Sequence, residues 1–486
     1  MDRASGRRPA RTLAIAAAAA GLLAILGAPA VATAHDLGPR PEIPLPLEAF
    51  LAGAMLAVAM SFGLVLTDEG RWRARPATRV RRLPRPVHLA LRAIGLLALA
   101  WIGAQLVVGG RSDGDVARLF TWVYGWVGLA IVCALIGPVW SWLDPFSTLH
   151  DLFAALGRRL GLARPTARSG VTPSALALPP SVADDDRVPA VWPAAGFFAV
   201  FVWLELVVRT ADMHLVVAAY TAITLLGMWR RGRDAWRAQG ETFSVWFGLL
   251  GRLAWWAPAG TPGSGLVRRQ RFPDGLVRGP WDRSRLVLLA FATGATLYDG
   301  LAQTRLRADL LGTGGLVSET IALAVFLGAV AGLVLFVARH VGAAPMGAGL
   351  LPIAVGYLVA HYLTYLLLDG QKLLIALADP LQQGADVTGT AFLQPSIAWL
   401  PAVATWLIMF VAVVGGHMLG AWSGHLRPDA EGPVRRGRWS QAALVLLMVG
   451  LTTLTLWSLG QAAYAPPAGQ PGPSSAPSAP PASARP

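Results

Sequence analysis

Ionisable side chains inside apolar stretches are the residues of this sequence that could do chemistry. Glu205 and Arg209 lie in the apolar segment 193–213, four residues apart. That spacing places both on one face of a helix, either as a structural ion pair or as groups that bind a proton or a substrate. Because an ionisable group at mid-bilayer costs roughly 2.5–3.5 kcal/mol to insert, each one is a functional hypothesis.

A second set lies on the apolar segment 347–368 and just beyond it. His361, Tyr365 and Asp369 follow one another at intervals of four residues. They therefore share roughly one face of a helix. An imidazole, a phenol and a carboxylate in a row could carry protons or bind a polar ligand. For His361 alone, a hydrogen bond between helices is an equally good interpretation.

Tyr298 and Asp299 add two polar groups to the apolar segment 286–305. By the topology given below, these groups all fall in the outer half of the membrane, so we expect them to line one cavity that opens to the outside. The cavity residues are Glu205, Arg209, Tyr298, Asp299, His361, Tyr365 and Asp369. His417 and His425 lie at the opposite end of the segment 398–420, too deep to join them, and we expect them to be structural.

Histidines suggest a second kind of chemistry. Cleavage after Ala34 would leave His35 as the first residue, and its amino group and ring nitrogen could then chelate copper. Otherwise His35 merely follows a cleavage site. His214 and His361 could complete a site for copper or another transition metal. The sequence has no zinc, nucleotide or nucleophile motif, and Cys133, the only cysteine, excludes an intramolecular disulfide.

Membrane-spanning helices must position these residues. The chain has 486 residues, of which 55% are hydrophobic and 14% charged, whereas soluble domains carry about 25% charged residues. Apolar runs of about 20 residues recur throughout, and each can cross a bilayer core of roughly 30 Å. We predict an all-α, polytopic transmembrane helical bundle with these spans: 47–67, 88–108, 117–137, 193–213, 214–230, 286–305, 316–338, 347–368, 398–420 and 440–459.

Both ends of the chain differ from this transmembrane domain, which we place at 35–460. Residues 1–34 combine a basic start, an Ala/Leu-rich core and a small-residue cleavage site, which is typical of a signal peptide. An uncleaved first helix is the alternative. The Pro/Ser/Ala-rich tail 461–486 cannot pack a core, so we expect it to be disordered, as we do the loop 156–190. The apolar segment 241–258 is short and is expected to be interfacial or re-entrant.

The arginines give the orientation. They cluster in segments that lie on one side of the membrane if the spans alternate, which is the positive-inside pattern of a bacterial inner-membrane protein. The mature N-terminus and the C-terminal tail then lie outside. The net charge of +14 follows from these clusters, so the lipid bilayer, and not a nucleic acid, is the expected partner. The clusters occupy 68–87, 158–168, 230–237, 268–285 and 427–438.

Glycines in two of the spans predict close helix packing. Gly328 and Gly332 are four residues apart, as are Gly416, Gly420 and Gly424. Small residues at this spacing let two helix backbones approach each other inside a membrane.

Several stretches together resemble a family of largely uncharacterised bacterial polytopic membrane proteins that are labelled fenitrothion hydrolase-like. The resemblance covers most of the mature chain and implies a helical membrane bundle. The label further implies hydrolysis of an organophosphate triester. The stretches include HDLGPRPEIPLPLEAFLAG from His35, GPVWSWLDPF from Gly137, WPAAGFFAVFVWLELV from Trp192, YDGLAQT from Tyr298, AHYLTYLLLDGQ from Ala360 and GGHMLGAWSGH from Gly415.

Three functions are consistent with these features. The first is a transporter or permease-like protein for a small molecule or an ion, in which the cavity residues line the path or carry protons. The second is a membrane metalloprotein that handles copper or supports an oxidase or hydrolase reaction, with His35, His214 and His361 as ligands. The third is a scaffold subunit whose buried charges are structural. The sequence specifies neither the substrate nor the oligomeric state.

Overall fold

The structure is a computed structural model, and it describes a large part of the chain. The described residues are 55, 71–72, 79–108, 116–161, 189–209, 212–259, 264–302, 304, 315–428 and 438–460. The predicted signal peptide, the span 47–67, the tail 461–486 and all but the ends of the loop 156–190 lie outside them.

Helices dominate the described part of the chain. They are α1 (Arg85–Val108), α2 (Val116–Leu135), α3 (Trp140–Leu143), α4 (Pro145–Arg159), α5 (Trp192–Val208), α6 (Met213–Arg231), α7 (Arg233–Gln239), α8 (Thr242–Leu250), α9 (Asp274–Arg278), α10 (Arg283–Ala302), α11 (Leu316–Val341), α12 (Ala343–Asp369), α13 (Lys372–Ala378), α14 (Ala402–His425) and α15 (Arg438–Gly460).

Short strands also form, which the sequence did not predict, so the fold is nearly but not wholly α-helical. All but β3 lie in or next to the arginine-rich segments, where backbone groups outside the helices pair with one another. The strand β1 is parallel to β5, while β4 lies between β2 and β3 in an antiparallel sheet. The strands are β1 (Arg71–Trp72), β2 (Val80–Arg82), β3 (Trp256–Pro258), β4 (Leu266–Arg269) and β5 (Arg427–Pro428).

Seven helices are long and apolar enough to cross a membrane, judged by length and composition. They correspond to seven of the predicted spans, which is compatible with a membrane protein. The span predicted at 193–213 appears as a shorter apolar helix, Trp192–Val208, whereas the span predicted at 440–459 lies within α15, which includes the apolar stretch Leu444–Ser458. The seven are α1, α2, α6, α10, α11, α12 continued through α13, and α14.

The segment 241–258 is helical only in α8. Glu241 caps this helix, since its carboxylate accepts hydrogen bonds from the backbone N–H groups of Phe243 at 3.1 Å and Ser244 at 2.6 Å. Trp246 and Phe247 are buried, so the helix packs within the bundle. The chain then turns at Gly251 and continues into β3.

The glycines of α14 pack directly against α12. A Cβ atom at Gly416 would lie 2.7 Å from the Pro352 carbonyl oxygen, and one at Gly420 would lie 2.3 Å from that of Gly349. The two backbones therefore touch, as the glycine spacing predicts. Gly328 and Gly332 behave differently, because a Cβ atom at either would meet no described residue within 4 Å.

Pro352 interrupts the hydrogen-bond ladder inside α12. It has no N–H group, so the carbonyl of Ala348, four residues earlier, loses its normal donor. The hydroxyl of Ser423 on α14 donates to this carbonyl at 2.8 Å. The neighbouring helix thus supplies the hydrogen bond that the proline removes.

Two helices contain π-helical turns. In α2 the π segment is Leu119–Gly128, and in α5 it is Leu204–Val208. The backbone N–H of Arg209 donates to the carbonyl of Leu204, five residues earlier, at 2.9 Å. Arg209 itself has a left-handed conformation with φ of 49° and ends α5. Isolated π turns of this kind are often found at functional sites.

Candidate functional site

A histidine and an aspartate join α10 and α12, the two most buried of the seven long apolar helices. His361 Nε2 lies 2.8 Å from Asp299 Oδ2. His361 is 4% exposed and Asp299 is 7% exposed. Each side chain offers the other a polar partner inside the apolar core, which makes the burial of both tolerable.

Tyr362 extends this pair to a third helix. Its hydroxyl group lies 3.4 Å from Asp299 Oδ2 and 3.5 Å from Glu205 Oε1 on α5. Because one hydroxyl group has one hydrogen, it can donate to only one of the two carboxylates at a time. We call Glu205, Asp299, His361 and Tyr362 the carboxylate cluster.

Glu205 is 3% exposed, and one of its oxygens, Oε2, has no hydrogen-bond partner within the described residues. No ion pair between Glu205 and Arg209 occurs there either. The π turn accounts for this, because it takes more than four residues per turn and moves Arg209 off the face of Glu205. The indole of Trp126, from the π segment of α2, lies beside the Tyr362 hydroxyl.

The remaining predicted cavity residues flank the carboxylate cluster. The Tyr298 hydroxyl donates to Glu319 Oε2 at 3.4 Å. The Tyr365 ring lies 6.2 Å from that of Tyr362, measured between centroids. Asp369 pairs with Lys372 at the end of α12. Tyr365 and Asp369 thus continue from the cluster toward that end of the helix.

The three histidines predicted as metal ligands are not seen together. His35 lies outside the described residues. His214 has Asp212 as a neighbour, with Nε2 and Oδ1 3.9 Å apart, whereas His361 contacts Asp299. Within the described ranges, no group of three or more His, Cys, Asp or Glu side chains is arranged to hold a metal ion.

His417, which we expected to be structural, forms a second buried polar contact. Its Nε2 lies 3.2 Å from the Tyr357 hydroxyl, and its Nδ1 lies 2.9 Å from the carbonyl oxygen of Val413. His417 and Tyr357 are fully buried. Since Tyr357 precedes His361 by four residues on α12, the two polar contacts are one helical turn apart.

A further network of buried charges connects α4, α6, α7 and α8. Arg237 Nε lies 3.2 Å from Asp144 Oδ2, and both side chains are almost completely buried. The Glu241 carboxylate accepts hydrogen bonds from the Tyr220 hydroxyl at 2.6 Å and from Trp140 Nε1 at 3.2 Å. Burial and the nearby Asp144 carboxylate raise the pKa of Glu241. Every one of these contacts ties helices together, which indicates a structural role.

Sequence reasoning missed Tyr362 and Trp126. Tyr362 follows His361 directly and so lies about 100° around the helix from the face of His361, Tyr365 and Asp369. A search along one face does not find it. The available signal was the burial of α12 on all sides, which its continuous apolar character could have indicated.

The carboxylate cluster has the groups needed to hold and pass on a proton: two carboxylates, an imidazole and a phenol, connected through Asp299 and the Tyr362 hydroxyl. Comparison of the chain with protein-family models, curated proteins and solved structures gives no significant match.

Proposed function

We propose that the chain is a proton-coupled membrane transporter, and that the carboxylate cluster is the site where it binds and releases the coupled proton. The observation that carries this proposal is the contact of one hydroxyl group, that of Tyr362, with the carboxylates of both Glu205 and Asp299. Two ionised carboxylates at one hydroxyl group repel each other, and a proton bound to either relieves the repulsion.

The surroundings of Glu205 support this proposal. No cation pairs with its carboxylate among the described residues, and one of its oxygens has no hydrogen-bond partner there. A buried carboxylate in this position needs a proton to be neutral, or a bound cation. Loss of that proton would favour a conformation in which the site is open to water, which is how proton binding can be coupled to movement of a substrate.

The position of the site along α12 supports a route from the outside. His361 is eight residues from the Asp369 end of the helix, or about 12 Å at the helical rise. Tyr365 and Asp369 lie between the cluster and that end. In the orientation that the arginine clusters favour, that end of α12 faces outward, and protons and substrate enter there.

Proton-driven charge movement tests this function without knowledge of the substrate. Proteoliposomes on a solid-supported membrane are exposed to a rapid drop in pH, and the transient current is recorded. We expect a current from the wild-type protein that is lost in Glu205→Gln and in Asp299→Asn. Glu319→Gln is the matched control, because Glu319 is a half-buried carboxylate that accepts a hydrogen bond from a tyrosine but lies outside the cluster.

Two outcomes would overturn the proposal. One is a wild-type current no larger than that of protein-free liposomes. The other is an unchanged current in a folded Glu205→Gln/Asp299→Asn double variant. Once the transient proton current has been observed, candidate solutes can be added one at a time. A sustained current with one of them would identify the chemical class of the transported substrate.

A further inference from the structure

We propose that His417 is a second proton-binding residue of this chain, and that the hydroxyl of Tyr357 passes the proton to it from the carboxylate cluster. The inference rests on the proposed proton-coupled function and extends it, since it gives the proton a route deeper into the bundle. The sequence places His417 apart from the functional residues, but His417 contacts Tyr357, which lies one helical turn from His361 on α12.

The hydrogen bonds of His417 define which of its nitrogens can take up a proton. Nδ1 lies 2.9 Å from the carbonyl oxygen of Val413, and a carbonyl can only accept, so Nδ1 carries the hydrogen. In a neutral imidazole the other nitrogen is then an acceptor. Nε2 therefore accepts the hydrogen of the Tyr357 hydroxyl, 3.2 Å away. The atom that would be protonated already faces the proposed donor.

Hydroxyl groups of α15 bridge the space between Tyr357 and the carboxylate cluster. The hydroxyls of Thr452 and Thr455 face that of Tyr357, and Thr455 Oγ1 forms no hydrogen bond of good geometry within the described part of the chain. Ser458, three residues further, donates to the Thr455 carbonyl at 2.8 Å. All three side chains are buried, so this row of hydroxyls runs inside the bundle.

Gly300 brings Ser458 close to His361. A Cβ atom at Gly300 would lie 2.8 Å from Ser458 Oγ and 3.8 Å from His361 Cε1. Because Gly300 has no side chain, the Ser458 hydroxyl and the His361 ring border the same small space. Since Gly300 follows Asp299 directly, this space lies at the edge of the carboxylate cluster.

The proton balance of the route is simple. A proton leaves the His361–Asp299 pair, and each hydroxyl along the row accepts one proton and releases another. At the last step the O–H bond of Tyr357 breaks as an N–H bond forms at His417 Nε2, and Tyr357 regains a proton from the threonine side. His417 becomes an imidazolium, and no oxidant or reductant takes part.

The polar groups that contact His417 within the described residues are neutral. Tyr357 faces it from α12, the Met448 carbonyl faces it from α15, and the Val413 carbonyl faces it from α14. A proton on His417 would therefore be held by polar but neutral groups. It would leave again readily, as a transit site requires.

Infrared difference spectroscopy after a rapid pH drop can follow both sites in the intact, reconstituted protein. The carboxylic acid band reports the carboxylate cluster, and an imidazolium band identified by ¹⁵N labelling of histidine reports His417. We expect His417→Gln to remove one component of this imidazolium band, which we call the histidine component. We expect Tyr357→Phe to slow that component about a hundredfold, as for loss of a positioned proton donor, while the carboxylic acid band keeps its rate.

Thr453→Val is the matched control, because this threonine of α15 donates to the carbonyl of its own helix at Val449 and lies outside the row. It should behave as the wild type. Thr455→Val provides a second test if Tyr357→Phe does not fold, and should also slow the histidine component. A histidine component that is unchanged in His417→Gln, or equally fast in folded Tyr357→Phe and Thr455→Val, would overturn the route. A carboxylic acid band that survives in Glu205→Gln/Asp299→Asn would instead overturn the proposed function.

Discussion

His361 Nε2 and Asp299 Oδ2 meet at 2.8 Å in the middle of the bundle, and this contact joins α12 to α10. Both residues are almost fully buried. Because each compensates for the burial of the other, removal of one leaves the other without its nearest polar partner and should lower stability. Stability and function can be measured separately in such a variant.

The variant His361→Ala tests both effects. We expect it to reach the membrane in normal amounts, because the helix becomes more apolar, but to lose the pH-driven current. Its free energy of unfolding should fall by about 3 kcal/mol, since a buried carboxylate loses its partner. Membrane fractionation, denaturant unfolding in detergent and the current measure the three properties. His340→Ala, on the exposed end of α11, is the control, and a wild-type current in folded His361→Ala would contradict the proposal.

The contact between α12 and α14 makes a sharp prediction for neighbouring glycines. In Gly420→Ala the new methyl group would lie 2.3 Å from the carbonyl oxygen of Gly349, so the helices must separate. We expect a loss of about 2 kcal/mol in the free energy of unfolding, typical of overpacking. Gly415→Ala is the matched control, because no atom of the described part of the chain lies within 4 Å of its new Cβ atom. Equal stabilities of the two variants in denaturant unfolding would contradict this contact.

The hydrogen bond from Ser423 to Ala348 can be tested by a double-mutant cycle. Ser423→Ala leaves the Ala348 carbonyl without a donor, and we expect a cost of about 1 kcal/mol, as for other hydrogen bonds between membrane helices. In a Pro352→Ala background, residue 352 has an N–H group that can donate to the same carbonyl, so Ser423→Ala should cost much less. A cost that is the same in both backgrounds would show that the serine does not replace the missing backbone donor.

Asp151 on α4 predicts sensitivity to acid. Burial alone would raise its pKa, but the nearby His150 imidazole, a hydrogen bond from Arg92 and the charges of Arg233 and Arg92 hold the pKa below its usual range. Its oxygens lie 2.7 Å from Arg92 and 2.8 Å from Arg233. A carboxylate whose pKa is lower in the folded state stabilises the fold above its unfolded pKa of about 3.9, and this contribution is lost as the pH falls through the folded value.

We therefore expect Asp151→Asn to be less stable than the wild type at about pH 7, and the difference to shrink as the pH drops below the unfolded pKa of about 3.9. Thermal unfolding of both proteins in detergent, at a series of pH values from about 7 to below about 3.9, measures this stability difference. Asp386→Asn, which changes an exposed carboxylate in the loop before α14, should show no such convergence. A stability difference that stays constant with pH would rule out the proposed ion pairs of Asp151.

The helices could largely be predicted from the sequence, because a continuous apolar run of span length specifies a helix by itself. The same principle singled out Glu205, Asp299 and His361, since ionisable groups are rare in such runs. Their mutual contacts could not be predicted. They depend on how α5, α10 and α12 are arranged around one another, and no spacing along a single helix contains that information.

The other differences between the sequence-based predictions and the structure have separate causes. An ideal helix would bring Arg209 onto the face of Glu205, but the π turn at the end of α5 changes the number of residues per turn. Tyr362 is not found by a search along one helical face, because α12 is buried on all sides and can place functional side chains on any face. The short strands were missed because pairing between distant arginine-rich segments, such as β2 with β4, leaves no periodic pattern in either one.

The glycine contact between α12 and α14 also limits how this protein can move. Two helices that touch backbone to backbone, and that are held in register by the Ser423–Ala348 hydrogen bond and the Tyr357–His417 contact, behave as one rigid slab. Tyr357 and His417 are both part of that slab, so their distance should stay constant while the protein changes shape. Glu205 and Asp299 lie on other helices, and it is their separation from the slab that an opening motion would change.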